Sequence, residues 1–315
     1  MPTVWVCTPH NERMSSAPRL SIGGFATLLL IAFMMGANHV AARFAFNHGV
    51  NVVTAVSFRS GVTALVVLLI LWQQGVSWRL GTRHKKYLPL IGALIAIQSV
   101  CLYSSVARLP VALALLVFNT YPMSAALWAR VLYAHRPERR VLLAMPVMLL
   151  GLALALDVLG AASGLGAAAQ WSQMGLGVAF ALGASATFGL AMVLTQYEAG
   201  DLDGRLRTFT TMAQVAVWAS AAASFGLGWH LPADSTGWIG LSLLTFLYGT
   251  AFTIMFTVLP KLGVVGNSPI MNVEPVFSLI LAWALLGQSI AAMQLVGAAI
   301  VVGTVMALGL WPRRS

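Results

Sequence analysis

The stretch Asn272-Val273-Glu274-Pro275 decides the reading of this chain. It lies deep in an apolar run long enough to cross a membrane. The same pattern stands 153 residues earlier as Asn119-Thr120-Tyr121-Pro122. At that one offset Leu109 also matches Leu262, Ala129 matches Ala282, Leu132 matches Leu285 and Leu142 matches Leu295. Two halves of one hydrophobic chain therefore carry the same polar, proline-bearing helix. That is the pattern of a secondary transporter whose site lies where two repeats meet.

Composition supports a membrane protein. The 315 residues are 59% hydrophobic and 8% charged, with a mean hydropathy of +0.85. A soluble chain carries roughly 25% charged residues. This one has too little polar surface to cover a soluble globule. Cys7 in the tail and Cys101 in an apolar run make no disulfide framework. A net charge of +10 raises nucleic acid as a partner, but no aromatic-basic stripe or basic helix face accompanies it.

A helix needs about 20 apolar residues to cross about 30 Å of hydrocarbon. Ten such runs are expected: 20–42, 52–72, 87–106, 110–129, 141–158, 174–194, 206–227, 238–259, 267–286 and 291–311. The first is read as an uncleaved span and not a signal peptide, because no soluble domain follows it. Met1 and Met14 both remain open as the start.

The cations then sort by side. With the N-terminus cytoplasmic, inside segments hold Arg13 and Arg19, then Arg79, Arg83, Lys85 and Lys86, then Arg130, Arg136, Arg139 and Arg140. They also hold Arg205, Arg207, Lys261, Arg313 and Arg314. Outside loops keep only Arg43 and Arg108, while Arg59 lies within the second span. The positive-inside rule fits this orientation and no other count of spans near ten. Five spans per half make the second half enter from the opposite side, so the repeats are inverted.

The expected architecture is an all-α integral membrane protein of ten transmembrane helices in two inverted five-helix repeats. Residues 1–19 form a cytoplasmic tail, 20–158 the first repeat and 159–173 an extracytoplasmic linker. Residues 174–311 form the second repeat and 312–315 a cytoplasmic tail. Phe33-x-x-Gly36-Ala37-Asn38 is paired with Phe180-x-x-Gly183-Ala184-Ser185 as the matching first spans. Glycines such as Gly23, Gly24, Gly36, Gly297 and Gly303 read as packing positions that let helix backbones approach in lipid.

Glu274 carries the sharpest chemical signal. In a helix starting near Leu262 it lies twelve residues in, about 18 Å at 1.5 Å per residue, near the bilayer midplane. A charge there costs about 2.5–3.5 kcal/mol on insertion scales, so it must face a cavity or a partner. It is a candidate proton carrier. The structural alternative is a carboxyl that fixes helix packing. Pro122 and Pro275 each remove a helical hydrogen bond and free the carbonyls of Phe118 and Met271, which can hinge the helix or bind substrate.

Arg59 reads either as a buried anchor or as the group that captures a substrate carboxylate, with Glu274 and Asp157 as partners to test. Asn38, His39, Gln98, Tyr103, Asn119, Tyr121 and Asn272 are further polar groups inside spans. A lone helical histidine such as His39 is more often structural. Trp128, Trp218 and Trp238 read as interfacial belt residues. No Walker A loop, H-E-x-x-H or clustered metal-ligand spacing is present, so no enzyme, metal or cofactor is expected.

These features resemble the EamA-type exporters of the drug/metabolite transporter superfamily. The resemblance spans about Leu20 to Trp311. It rests on the two repeats, Gly36-Ala37-Asn38 followed by Phe58-Arg59, and Asn272-x-Glu274-Pro275. Leu285-Leu286-Gly287 and Gln294-Leu295-x-Gly297-Ala298 extend it. It implies an inner-membrane carrier exporting amino acids or related metabolites, coupled to an ion gradient or running as a uniporter. The family often has a Glu before the proline of the fourth helix, where this chain has Tyr121. It commonly has Glu after Leu-Leu-Gly, where this chain has Gln288. A mechanism needing two symmetric carboxylates is therefore disfavoured.

The reading is a multi-pass carrier for a small, amino-acid-like metabolite, working by alternating access. Asn38, Asn119, Tyr121, Asn272 and Glu274 would line the site, with Arg59, Pro122 and Pro275 supporting or gating. Expected partners are a small-molecule substrate, the lipid bilayer and a coupled proton; a homodimer is left open. The competing readings are efflux of lipophilic drugs or cations, and a non-transporting membrane scaffold.

Overall fold

The computed structural model describes residues 22–135, 139–157, 159, 166–257, 273–288 and 291–310. Every regular element in them is helical. The helices are α1 (Ile22–Asn47), α2 (Val52–Gln73), α3 (Thr82–Val106), α4 (Val111–Phe118), α5 (Tyr121–Tyr133) and α6 (Arg139–Ala155). Then come α7 (Ala167–Glu198), α8 (Gly204–Ala222) continued by one π turn (Ala223–Leu227), α9 (Ser235–Thr257), α10 (Glu274–Leu286) and α11 (Ala292–Leu310). Counting α4 and α5 as one path across their break, six helical segments are long and apolar enough to cross a membrane. Shorter apolar helices lie at Leu142–Ala155, Glu274–Leu286 and Ala292–Ala307.

Two of the expected boundaries differ. The fourth run is not one helix: it breaks between Phe118 and Tyr121. Helix α7 starts at Ala167, inside the stretch read as a linker. Pro122 has no N–H to continue α4, and it sits instead in the first turn of α5, where no donor is missed.

The outer surface explains the composition. Large apolar side chains point outward along several helices, among them Trp72 (78% exposed), Leu143 (73%) and Phe246 (64%). A helix apolar on all faces is stable only in a protein core or in lipid. Polar side chains are drawn inward instead: Asn38, Arg59, Ser60, Thr63, Ser99, Ser105 and Ser278 are all buried.

The helix pairings carry the repeat. Helix α1 packs on α9 and α10, while α7 packs on α3 and on α4 with α5. Helix α2 packs on α9, and α8 on α3; α2 also packs on α8, and α6 on α11. Exchanging the halves, so that α1 trades with α7, α2 with α8, α3 with α9, α4–α5 with α10 and α6 with α11, leaves these pairings unchanged.

The match extends to single residues. Helix α5 begins at Tyr121 and α10 at Glu274, and both run 13 residues. Each ends on a left-handed residue, Ala134 at φ 52° and Gly287 at φ 63°. Each next amide, of His135 and of Gln288, donates back to the carbonyl of Ala129 or Ala282 at 3.2 Å. All of these pairs are 153 residues apart.

The one difference is alanine at a position that favours glycine. Left-handed backbone costs an L-residue roughly 1–2 kcal/mol. Ala134→Gly is therefore expected to raise stability by about 0.5–1 kcal/mol, and Gly287→Ala to lower it by a similar amount. Thermal unfolding in detergent measures both; equal midpoints for Gly287→Ala and the parent would refute the strain argument.

Close approaches correct the pairing of the first spans. A Cβ on Gly36 would meet Ser278 Oγ at 2.9 Å and the Glu274 carbonyl at 3.0 Å. A Cβ on Gly189 would meet the Ala125 amide at 2.7 Å and Ser124 Cβ at 2.9 Å. Gly36 and Gly189, and Ala125 and Ser278, again differ by 153. The contact geometry thus matches Gly36 with Gly189, and not with Gly183 as motif spacing suggested.

Candidate functional site at the repeat interface

Helix α1 delivers two adjacent polar residues to the seam with α10. Asn38 is fully buried and accepts a hydrogen bond from the Tyr103 hydroxyl of α3, at 3.0 Å on Oδ1. His39 Nε2 meets Glu274 Oε1 at 3.1 Å. The Gly36 contact makes this possible, because it lets the α1 backbone rest against the first turns of α10. Glu274 occupies the first turn of α10, where the helix dipole favours a carboxylate.

Tyr103 joins this pair to a cation. Its ring centroid lies 5.5 Å from that of His39, and the Arg59 guanidinium carbon sits 4.4 Å above it. Arg59 is only 4% exposed. The same guanidinium carbon lies 3.9 Å from the ring centroid of Tyr248 of α9, and Nη2 donates to Ser99 Oγ at 2.9 Å. Neither carboxylate considered for it pairs with it. Glu274 is engaged by His39, and among the described residues Arg59 enters no ion pair.

Among the described residues several buried polar atoms lack a hydrogen-bond partner: Asn38 Nδ2, His39 Nδ1, Arg59 Nε, Ser60 Oγ, Ser105 Oγ and Ser278 Oγ. Most buried polar groups in proteins are paired. These atoms come from helices α1, α2, α3 and α10.

The break between α4 and α5 forms the other half. Asn119 Nδ2 returns to the Leu115 carbonyl at 2.8 Å, so this side chain caps its own helix. Thr120 Oγ1 and Ser124 Oγ both meet Ser185 Oγ of α7, at 3.0 and 3.1 Å. Tyr121 is packed by aromatic rings, Phe188 at 5.0 Å and Phe118 at 5.7 Å. The two halves are thus chemically unlike. Helix α1 presents Asn38 and His39 where α7 presents Ala191 and Met192 at the 153 offset.

The structure therefore gathers Asn38, Glu274 and Arg59 around Tyr103, with Tyr121 and Pro122 at the matching break in the other repeat. Asn272 lies outside the described residues, as does the Met271 carbonyl that Pro275 would free. Glu274 is the first residue of α10 as described, and the helix start expected near Leu262 lies outside the described residues. Sequence reading set His39 aside as structural, and did not single out Tyr248 or Ser99. The signal for His39 was its place beside Asn38 in a span; nothing in the sequence marks Tyr248. Trp128 Nε1 donates to the Ala186 carbonyl at 3.0 Å, tying α5 to α7. Gln288 caps the start of α4 by accepting from the Val111 amide at 3.1 Å. That gives the departure from the usual Glu a structural use.

A family model described as EamA-like transporter family matches residues 22–156 and again 175–310. The chain belongs to the EamA-like transporter family. This EamA-family protein is accordingly a multi-pass membrane transporter of the drug/metabolite transporter superfamily. One solved crystal structure, of a protein described no further, aligns over 94% of this chain and 99% of its own. The TM-score is 0.58 at 19% identity, which shows a shared fold alone. No curated protein matches the chain.

The Asn38–Tyr103 bond gives a test of the seam. Tyr103→Phe would leave Asn38 with neither amide atom paired to Tyr103, inside a buried site. A loss of about 1–2 kcal/mol in stability is expected. Thermal unfolding reads it, and an unchanged midpoint would remove Asn38 from the packed network.

Proposed function

We propose that this EamA-family transporter is a ten-span carrier of two inverted repeats that exports a small, amino-acid-like metabolite. It works by alternating access across the inner membrane, with both termini cytoplasmic. The His39–Glu274 contact carries this reading. It joins α1 of one repeat to α10 of the other, so motion of one repeat against the other must strain or break it. The exchange-invariant pairings support such a motion, since two equivalent packings related by the pseudo-twofold then present the site to opposite sides. Proton movement on Glu274, released and recaptured as the pair opens and closes, would couple transport to a gradient. Pro122 and Pro275 hold matching positions in the first turns of α5 and α10, where the two repeats would hinge.

The two faces carry matching polar latches. At one face His48 Nδ1 meets Asp234 Oδ2 at 2.9 Å; at the other His84 Nε2 meets Asp201 Oδ1 at 3.0 Å. His48 and Asp201 are equivalent by the 153 offset. The His84 imidazole, followed by its own backbone amide, holds Asp201 below the ordinary carboxylate range. The Gly237 amide, then His48, does the same for Asp234. A depressed carboxyl stabilises its latch above the ordinary Asp range, and that stability is lost as pH falls through the depressed value.

Exposed pairs are weak and screened by solvent. Asp234→Asn is therefore expected to speed amide exchange about two- to fivefold in the loops 47–51 and 228–234 only, and Asp201→Asn only in 74–81 and 199–204. Equal changes at both faces from either variant would contradict separate latches.

Counterflow of amino acids and related metabolites in proteoliposomes, with and without a pH gradient, tests the function. Stimulated exchange of one class supports it. No flux from oriented, folded protein across that panel and a panel of lipophilic cations would favour the scaffold reading.

A further inference from the structure

Arg59 is a buried cation, 4% exposed. Among the described residues no carboxylate pairs with it. Removing a charge from water costs several kcal/mol unless it is paired. Stacking on Tyr103 and Tyr248 offsets part of that cost, since a desolvated cation–π contact contributes up to about 2 kcal/mol. Both rings lie close to the guanidinium carbon, Tyr103 at 4.4 Å and Tyr248 at 3.9 Å from their centroids. Along the Nε/Nη2 edge, Nη2 holds the Ser99 hydroxyl at 2.9 Å and Nε has no partner.

We infer that this edge is a subsite for the carboxylate of the transported molecule. The inference rests on the proposed transport function and specifies the substrate for it. A carboxylate accepts two parallel N–H bonds from one guanidinium edge, the arrangement that makes such pairs short and strong. Docking there replaces one weak hydroxyl contact, satisfies the orphaned Nε and supplies a negative charge.

The neighbouring groups extend the match. Tyr103 lies against Arg59 on one side and reaches Asn38 through its hydroxyl, with the His39–Glu274 pair beyond. The inference therefore concerns the carboxylate end of the transported molecule, with these polar groups beside it. A single guanidinium edge is a poor host for a phosphate, whose charge near −2 and three acceptor oxygens call for several donors.

The test uses wild-type protein first. Thermal-shift binding and proteoliposome counterflow are measured for amino acids, short mono- and dicarboxylates, the primary amide of each, the decarboxylated amines, and inorganic phosphate. At least one carboxylate is expected to bind about tenfold or more tightly than its amide, as loss of a charged bidentate contact implies. In Arg59→Lys, which keeps the charge but not the fork, the preference is expected to fall below about threefold.

Amides or amines that bind and move as well as the acids overturn the subsite while leaving the transport function standing. Phosphate preferred over every carboxylate also overturns it. A panel in which nothing binds or moves overturns both. The wild-type comparison decides the matter even where Arg59→Lys fails to fold.

Discussion

Glu274→Gln is expected to fold, to lose roughly 10- to 100-fold of its flux, and to stop responding to an imposed pH gradient. Glutamine keeps an oxygen that can face His39 Nε2, now 3.1 Å from the carboxylate, so packing between α1 and α10 survives. What it loses is charge and the capacity to take up and release a proton. A hydrogen bond to a charged group contributes about 1.5–3 kcal/mol, which at 1.4 kcal/mol per factor of ten gives the stated range. His39→Gln should fall in the same range. The double variant should be no worse than either single one, because both remove the same interaction. Flux is read by counterflow with and without the gradient. A Glu274→Gln protein with full rate and unchanged pH response would leave the carboxyl a structural role only.

Gly297→Ala should be the most disruptive small substitution, and Gly303→Ala on the same helix should be harmless. A Cβ on Gly297 would lie 2.3 Å from the Ala155 amide nitrogen and 2.5 Å from the Gly151 carbonyl oxygen. These are backbone atoms of α6 and cannot rotate away, so the two helices must separate. Overpacking of this kind costs about 1–3 kcal/mol, occasionally more. Gly303 has nothing within 4 Å of its Cβ position, and there alanine gains helix propensity. The pair is compared by thermal unfolding and by monodisperse yield in detergent. Equal behaviour would show that α6 and α11 are not in close contact in the folded protein. The α6–α11 pairing maps onto itself when the repeats are exchanged, so a loss there reaches both halves.

The contrast between these glycines shows where sequence reading stops. Both sat in the last apolar run and both read as packing positions. Periodicity tells which residues are small and which face recurs; it does not say which neighbour approaches. The same limit misaligned Gly36 with Gly183. The motif spacing looked right, but the backbone contacts with Ser278 and Ala125 match Gly36 to Gly189. His39 was passed over for the same reason: a histidine in a span gains its meaning from the carboxylate opposite it, and that residue is 235 positions away in the chain.

The amino-acid sequence by itself determined the membrane class, the helical content, the 153-residue repeat and the polar, proline-bearing segments at Tyr121 and Glu274. Those properties follow from composition and local spacing, because a chain with so few charges must place apolar helices in lipid and because proline acts on its own backbone. Only the tertiary structure decided that α4 and α5 are separate helices, that Glu274 pairs with His39, and that Arg59 lies against two tyrosines with no ion pair among the described residues. Each of those depends on side chains from helices distant in sequence, brought together by glycine contacts a few ångströms wide. A linear pattern of hydropathy and charge does not encode such distances.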